Sequence, residues 1–157
     1  MTDVKGSGSH VVESVVKQIH SSGLFPDDKK LLRRIAYVES KDGTDRNTYR
    51  PNYYGGIWQV DLLGFQATQD TGSHPGLNAK HAGIKQKFGI DWPAAQWSDL
   101  LKPLYSGLAA RLVLSNIPAA VPADVRGQAE YWKKYYNTGS GAGTPQKFID
   151  DVAVLEK

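Results

Sequence analysis

Apolar side chains recur at helical spacing towards both ends of this chain and lose that rhythm in the middle. Residues 11–21, VVESVVKQIHS, place Val11, Val12, Val15, Val16 and Ile19 on one stripe. The run is rich in β-branched residues, which also suit a strand, but the 3.6-residue spacing decides for a helix, with Gly23 as its stop. FPDD then offers Asp27 or Asp28 as the N-cap of a second helix that runs to about Ser40. Its stripe is Leu31, Leu32, Ile35, Val38 and then Glu39, with Lys30, Arg33 and Arg34 on the wet side.

Residues 41–56, KDGTDRNTYRPNYYGG, are turn chemistry throughout and predict a loop with room for a short hairpin. IWQVDLLGFQAT either begins a helix or passes through an extended segment, and residues 71–99 read as irregular with one or two short helices. Helical spacing returns at Leu104, Leu108 and Leu112, with Leu101, Ala109 and Val113 beside them. It continues at Val125, Ala129, Trp132 and Tyr136, and at Phe148, Ile149, Val152 and Leu155 behind a first-turn Pro145. The expectation is a mainly α, single-domain protein: a flexible segment over 1–10, a folded domain over 11–157, and one long loop after the second helix.

Composition narrows the function classes. With 157 residues, 40% hydrophobic and 22% charged, the chain suits one soluble domain with a real core, and no apolar run is long enough to span a membrane. No cysteine is present, so disulfides and thiolate metal sites are excluded. A net charge of +3 with scattered Lys and Arg gives no nucleic-acid patch, and suits weak attraction to a polyanionic surface. His10, His20, His74 and His81 have no metal-ligand spacing and read as surface residues; no metal or cofactor is expected. The polar start MTDVKGSGSH carries no secretory signal.

Glu39 is the position that asks for an explanation. A carboxylate on an apolar stripe at a helix C-terminus loses hydration and meets the negative end of the helix dipole, and both raise its pKa. A carboxyl that holds its proton near neutrality is what a general acid needs to protonate a glycosidic oxygen. The competing reading is a side chain curling out at a frayed helix end. Further along, Gly55-Gly56-Ile57-Trp58-Gln59 can bring backbone close to a substrate and supplies an amide for hydroxyls. Tyr136-Asn137-Thr138-Gly139 then precedes a glycine-rich turn opening the last helix.

Taken in order, Glu39-Ser40, Gly56-Ile57-Trp58-Gln59 and Tyr136-Asn137-Thr138-Gly139 resemble the pattern of the lysozyme-like superfamily, in particular goose-type lysozymes and soluble lytic transglycosylases of the glycoside hydrolase family 23 kind. The resemblance spans residues 25–150, and LYSGLAARLVLSN, with Gly107 at a small-residue position, is similar to the family's core helix. It implies a lysozyme-like fold and a peptidoglycan-cleaving activity on the β-1,4 bond between N-acetylmuramic acid and N-acetylglucosamine. Glu39 would be the catalytic acid, and Gln59 and Tyr136 would line the sugar site. Asn137 would hold the turn or face the sugar. Asp61 matches an acid that helps place water in goose-type enzymes, and a helix N-cap is its competing role.

Hydrolysis with inversion needs a second carboxylate about 6.5–9.5 Å from the acid. Asp61 is the first candidate, and Asp42 and Asp45 follow, though turn formation suits both better. If the sugar's own 6-hydroxyl attacks, one acid suffices and the product is an anhydro-sugar. Three positions depart from the family: Arg50 stands where goose-type enzymes carry a loop aspartate, Trp58 replaces a Met, and Thr138 replaces an Ala. Trp58 suits either core packing or stacking on a sugar. Tyr49, Tyr53 and Tyr54 suit either loop anchoring or a sugar cleft, and Trp92 and Trp97 read as structural. The expected partner is peptidoglycan or a related N-acetylglucosamine polysaccharide, without nucleic acid or membrane insertion, acted on by an extracellular monomer in an antibacterial or wall-remodelling role. A lysozyme-like carbohydrate-binding protein without turnover is the alternative.

Overall fold

Ten of the thirteen residues of the helix Pro103–Ser115 are buried, among them Leu104, Leu108, Ala109 and Leu112. A helix apolar on nearly all sides has to be surrounded. In the computed structural model, which describes residues 6–137 and 142–157, this helix is α5 of seven α-helices. The others are α1 (Ser9–Ser21), α2 (Leu31–Ser40), α3 (Leu62–Ala67), α4 (Leu77–Phe88), α6 (Val125–Tyr131) and α7 (Pro145–Leu155). Short 3-10 turns span Trp92–Ala94 and Trp97–Leu101, and α6 runs on into a π turn over Trp132–Tyr136. The chain is a mostly helical single domain with no strand among the described residues, so the 41–56 loop contains no hairpin.

α1, α2 and α3 pack on α5, and α7 closes over α2 and α6. Gly107 sets how closely α1 approaches: a methyl group there would lie 2.6 Å from Val15 Cγ1 and 3.2 Å from Trp58 Cζ3. Val11, Val12, Val15, Val16 and Ile19 are all buried, so the β-branched run is a helix. It begins at Ser9, with the Gly8 N–H donating to Asp42 O at 2.8 Å. The proposed flexible segment is therefore two residues too long at this end, and residues 1–5 lie outside the described ones.

Four expectations are corrected. The N-cap position of α2 is Lys30, in the left-handed region at φ 71°, while Asp28 reaches forward to accept from Leu32 N at 3.1 Å. Arg34 lies within the fold, where Glu156 takes its Nε at 2.7 Å and Gln128 Oε1 its Nη1 at 3.0 Å. His81 is buried too, with Nε2 bonded to Thr68 O at 2.8 Å. Residues 77–88 form twelve residues of regular helix inside the stretch read as irregular. Its inner stripe is Leu77, His81 and Ile84, and the histidine interrupts what would have been an apolar repeat.

Candidate active site

Glu39 is the last but one residue of α2, and the chain turns away sharply after it. Lys41, Asp42 and Gly43 all take positive φ, at 51°, 61° and 85°. The turn is held from both sides. Ser40 Oγ donates to Ile57 O at 2.6 Å and accepts from Gly43 N at 2.7 Å, while Arg33 grips both oxygens of the buried Asp42 at 2.8 and 3.1 Å. The end of α2 is thereby stitched to the Gly55–Gln59 segment, and Glu39 is left half-buried between them.

Trp132 Nε1 donates to Glu39 Oε2 at 2.9 Å, and Asn137 bonds the same carboxylate through its side chain. Trp132 sits on the π turn, 1% exposed, with its ring tilted against Phe148 at 5.6 Å between centroids. Burial dominates the electrostatics. It pushes the Glu39 carboxyl up to about 7, against the lowering effects of the Trp132 bond, the Lys147 ammonium, the Asn137 bond and the Arg50 guanidinium. Lys147 is itself fixed by Val38 O at 2.7 Å and Asp151 at 2.6 Å. The sequence reading missed Trp132 and Lys147 as neighbours of the acid; both come from beyond residue 130, and no local pattern marks them.

The paired glycines do bring backbone into close approach, but against the protein itself. Gly56 has φ +70°, and a Cβ there would lie 1.9 Å from Leu100 O. Ser106 Oγ bridges the segment to α5, donating to Gly55 O at 2.9 Å and accepting from Trp58 N at 3.0 Å. The Trp58 ring is 0% exposed and its Nε1 donates to Leu32 O, so it fills the core and the proposed stacking on a sugar is corrected.

Gln59, at φ 52°, gives both hydrogens of Nε2 to the loop, to Thr48 O at 3.1 Å and Gly56 O at 2.9 Å. Its Oε1 accepts from Arg50 Nη1 at 2.9 Å, so Gln59 shapes the loop and keeps one acceptor lone pair for a ligand. Arg50 also lies 3.7 Å over the Tyr53 ring, and Tyr53 Oη donates to Gln59 O at 2.8 Å.

Tyr136 donates its hydroxyl proton to Trp58 O, which leaves that oxygen free to accept. Burial, followed by the charge of Glu39, holds its pKa well above the ordinary phenol value. Burial likewise pushes Tyr53 up to about 12, and Asp61 and Glu39 act on both phenols, so the four groups lie within electrostatic reach of one another. Tyr54 and Tyr53 meet Trp97 edge-on at 5.3 and 5.4 Å, and Trp97 Nε1 donates to Val60 O at 2.9 Å. Trp97 is thus the anchor of the loop aromatics, while Tyr49 and Tyr54 remain 46% and 36% exposed.

The acids divide clearly. Asp42 is bound to Arg33, and Asp45 Oδ1 accepts from Asn47 N at 2.8 Å in a turn. Asp61 is exposed and caps α3 by accepting from Gly64 N at 2.7 Å through Oδ1, which leaves Oδ2 without a partner among the described residues. Asn137 closes the π turn with its N–H donating to Trp132 O at 2.7 Å, and besides Glu39 its side chain takes Lys133 Nζ at 3.1 Å. Thr138 and Gly139 lie outside the described residues. Among the described residues no three His, Asp or Glu side chains come together as a metal site, and no helix is long and apolar enough to cross a membrane.

The region around the end of α2 therefore offers one carboxyl poised to exchange a proton near neutrality, with two phenol hydroxyls and a guanidinium in electrostatic reach. That equipment suits acid catalysis on a polyhydroxylated ligand. No protein-family model matches this chain, and comparison with curated proteins and with solved structures finds no match either.

Proposed function

We propose that the protein is a lysozyme-like glycosidase of the goose-type and lytic transglycosylase kind, which cleaves the β-1,4 bond between N-acetylmuramic acid and N-acetylglucosamine in peptidoglycan outside the cell. The reading rests above all on one observation: the Glu39 carboxyl, bonded to Trp132 Nε1 at the end of α2 and raised to about 7 by burial, lies within electrostatic reach of the Tyr53 and Tyr136 hydroxyls and the Arg50 guanidinium. Glu39 gives its proton to the glycosidic oxygen as the bond breaks, and positive charge develops on the sugar.

The second step favours the sugar's own 6-hydroxyl over water. Arg50, where goose-type enzymes carry an aspartate, is a cation and cannot accept the proton of a water molecule. Asp42 and Asp45 are engaged elsewhere. Glu39, deprotonated by the first step, then takes the 6-hydroxyl proton, and the product is a 1,6-anhydro-muropeptide. Asp61 Oδ2 is the acceptor through which hydrolysis would run instead.

Digestion of purified peptidoglycan by the wild type and by Glu39→Gln, with mass spectrometry of the fragments, tests this reading. Anhydro-muropeptides from the wild type and at least about a hundredfold less from the variant are expected for loss of a general acid. Reducing-end fragments would move the reaction to hydrolysis. Sedimentation with the wall but no fragments from either protein would leave a carbohydrate-binding protein without turnover.

A further inference from the structure

At the opposite end of α2 from Glu39, a cavity of about 360 Å³ opens between the 25–30 turn, α4, the C-terminal half of α5 and the 117–121 loop. Three cationic side chains line it, Lys29, Lys80 and Arg111, against one acid, Asp27. Asp27 is turned to its own backbone, accepting from Lys29 N at 3.1 Å.

Arg111 is 3% exposed, and its guanidinium makes one hydrogen bond among the described residues, from Nη2 to Pro26 O at 2.9 Å. Its Nε is buried without a hydrogen-bond partner: the fully buried Asp28 carboxylate pairs with it as an ion, but its Oδ2 stands 3.9 Å away, too far for a hydrogen bond. Asp28 answers the charge, but guanidinium donors left without hydrogen bonds in a buried position are costly unless something else meets them. The two ammonium groups are also only partly used: Lys29 Nζ donates to Val121 O at 3.0 Å and Lys80 Nζ to Leu24 O, each with two further donors to give. Lys80 and Arg111 lie 5.1 and 4.8 Å from the centre of one ring, Phe25, so two of the three cations are brought to the same aromatic side chain at the edge of the cavity they line. Lys29 is held there in the left-handed region at φ 55°, its carbonyl accepting from the buried Gln128 Nε2 at 2.9 Å.

We infer that this cavity is a binding site for a phosphate group, separate from the sugar cleft. Donors converge from three elements and not as a single planar fork, which suits a tetrahedral oxyanion better than a carboxylate. The cavity is large enough for a phosphodiester with its flanking carbons as well as for free phosphate.

Calorimetric titration of the full chain with inorganic phosphate and, separately, with a glycerol phosphodiester, at fixed ionic strength, tests the inference. Saturable binding of at least one probe is expected, with affinity falling at least about tenfold in Lys29→Gln/Lys80→Gln, since each loses charge-assisted bonds. A Lys17→Gln/Lys87→Gln variant, with the same change in net charge, and Glu39→Gln are expected to bind as the wild type. Tighter binding of the diester would identify a phosphate polymer as the source, and tighter binding of inorganic phosphate a free phosphate. No saturable binding of either probe would overturn the inference, as would equal affinity in the two double variants. Circular dichroism checks that each variant is folded.

Discussion

At about pH 8, Glu39→Gln is expected to resist urea better than the wild type, and at about pH 4 the two are expected to unfold together. Glu39 ionises near 4.5 in the unfolded chain and near 7 in the fold, which disfavours its charged form. Below 4.5 both states are protonated and the group is neutral to stability. Between 4.5 and 7 the unfolded chain loses its proton first, so wild-type stability declines as pH rises, and above 7 the loss is complete. The interval corresponds to about 3 kcal/mol at about 1.4 kcal/mol per unit. Glutamine keeps an acceptor for Trp132 Nε1 and removes the buried charge, so it escapes the decline. The same change is expected to abolish cleavage, which would make Glu39 a residue kept at the expense of stability. Parallel pH dependence of the two proteins in urea unfolding would contradict this reading of the carboxyl.

The second large effect is expected at Gly56. A Cβ there meets Leu100 O at 1.9 Å and Ser106 Oγ at 2.8 Å, on a residue with φ +70°. Leu100 O is backbone, so it cannot swing aside, and the segment itself must shift. Gly56→Ala is expected to cost at least about 3 kcal/mol, combining left-handed strain with a backbone clash. Gly89 supplies the comparison, since it has the same φ of +70° with nothing within 4 Å of where a methyl group would stand. Gly89→Ala is expected to cost about 1 kcal/mol, the strain alone. Thermal or urea unfolding of the two variants side by side separates clash from strain, and equal losses would show that the contact with Leu100 is not what fixes the segment. Because Gly56 O accepts from Gln59 N and Nε2, its displacement would also loosen the loop that carries Arg50 and Tyr53.

Much of the fold could be read from spacing because α1, α5 and α7 bury residues that are apolar and regularly placed. Where a polar residue does a core residue's work, the reading failed. His81 hides the stripe of α4, and Arg34 hides a buried link from α2 to Glu156 and Gln128. Asp28 caps α2 from outside the helix through a turn whose two lysines take positive φ, a conformation that nothing in the residue types suggests.

At the candidate site, the position of Glu39 on an apolar stripe was legible, since the stripe and the helix end are both local. What surrounds it was not. The Trp132 indole, the Lys147 ammonium and the Arg50 guanidinium arrive from distant segments, and only the packing of α7 over α2 and α6 brings the first two close. Trp58 and Gln59 carry the opposite lesson. They occupy motif positions, yet one fills the core and the other binds the loop that frames the cleft.

The most direct test of Glu39 as an acid held ready near neutrality is a carbon-13 titration of its side-chain carboxyl by NMR, run beside the pH dependence of peptidoglycan cleavage. A midpoint near 7 is expected, coinciding with the alkaline fall in cleavage as the acid loses its proton. A midpoint near the ordinary 4.5, or a cleavage profile that ignores the titration, would contradict it.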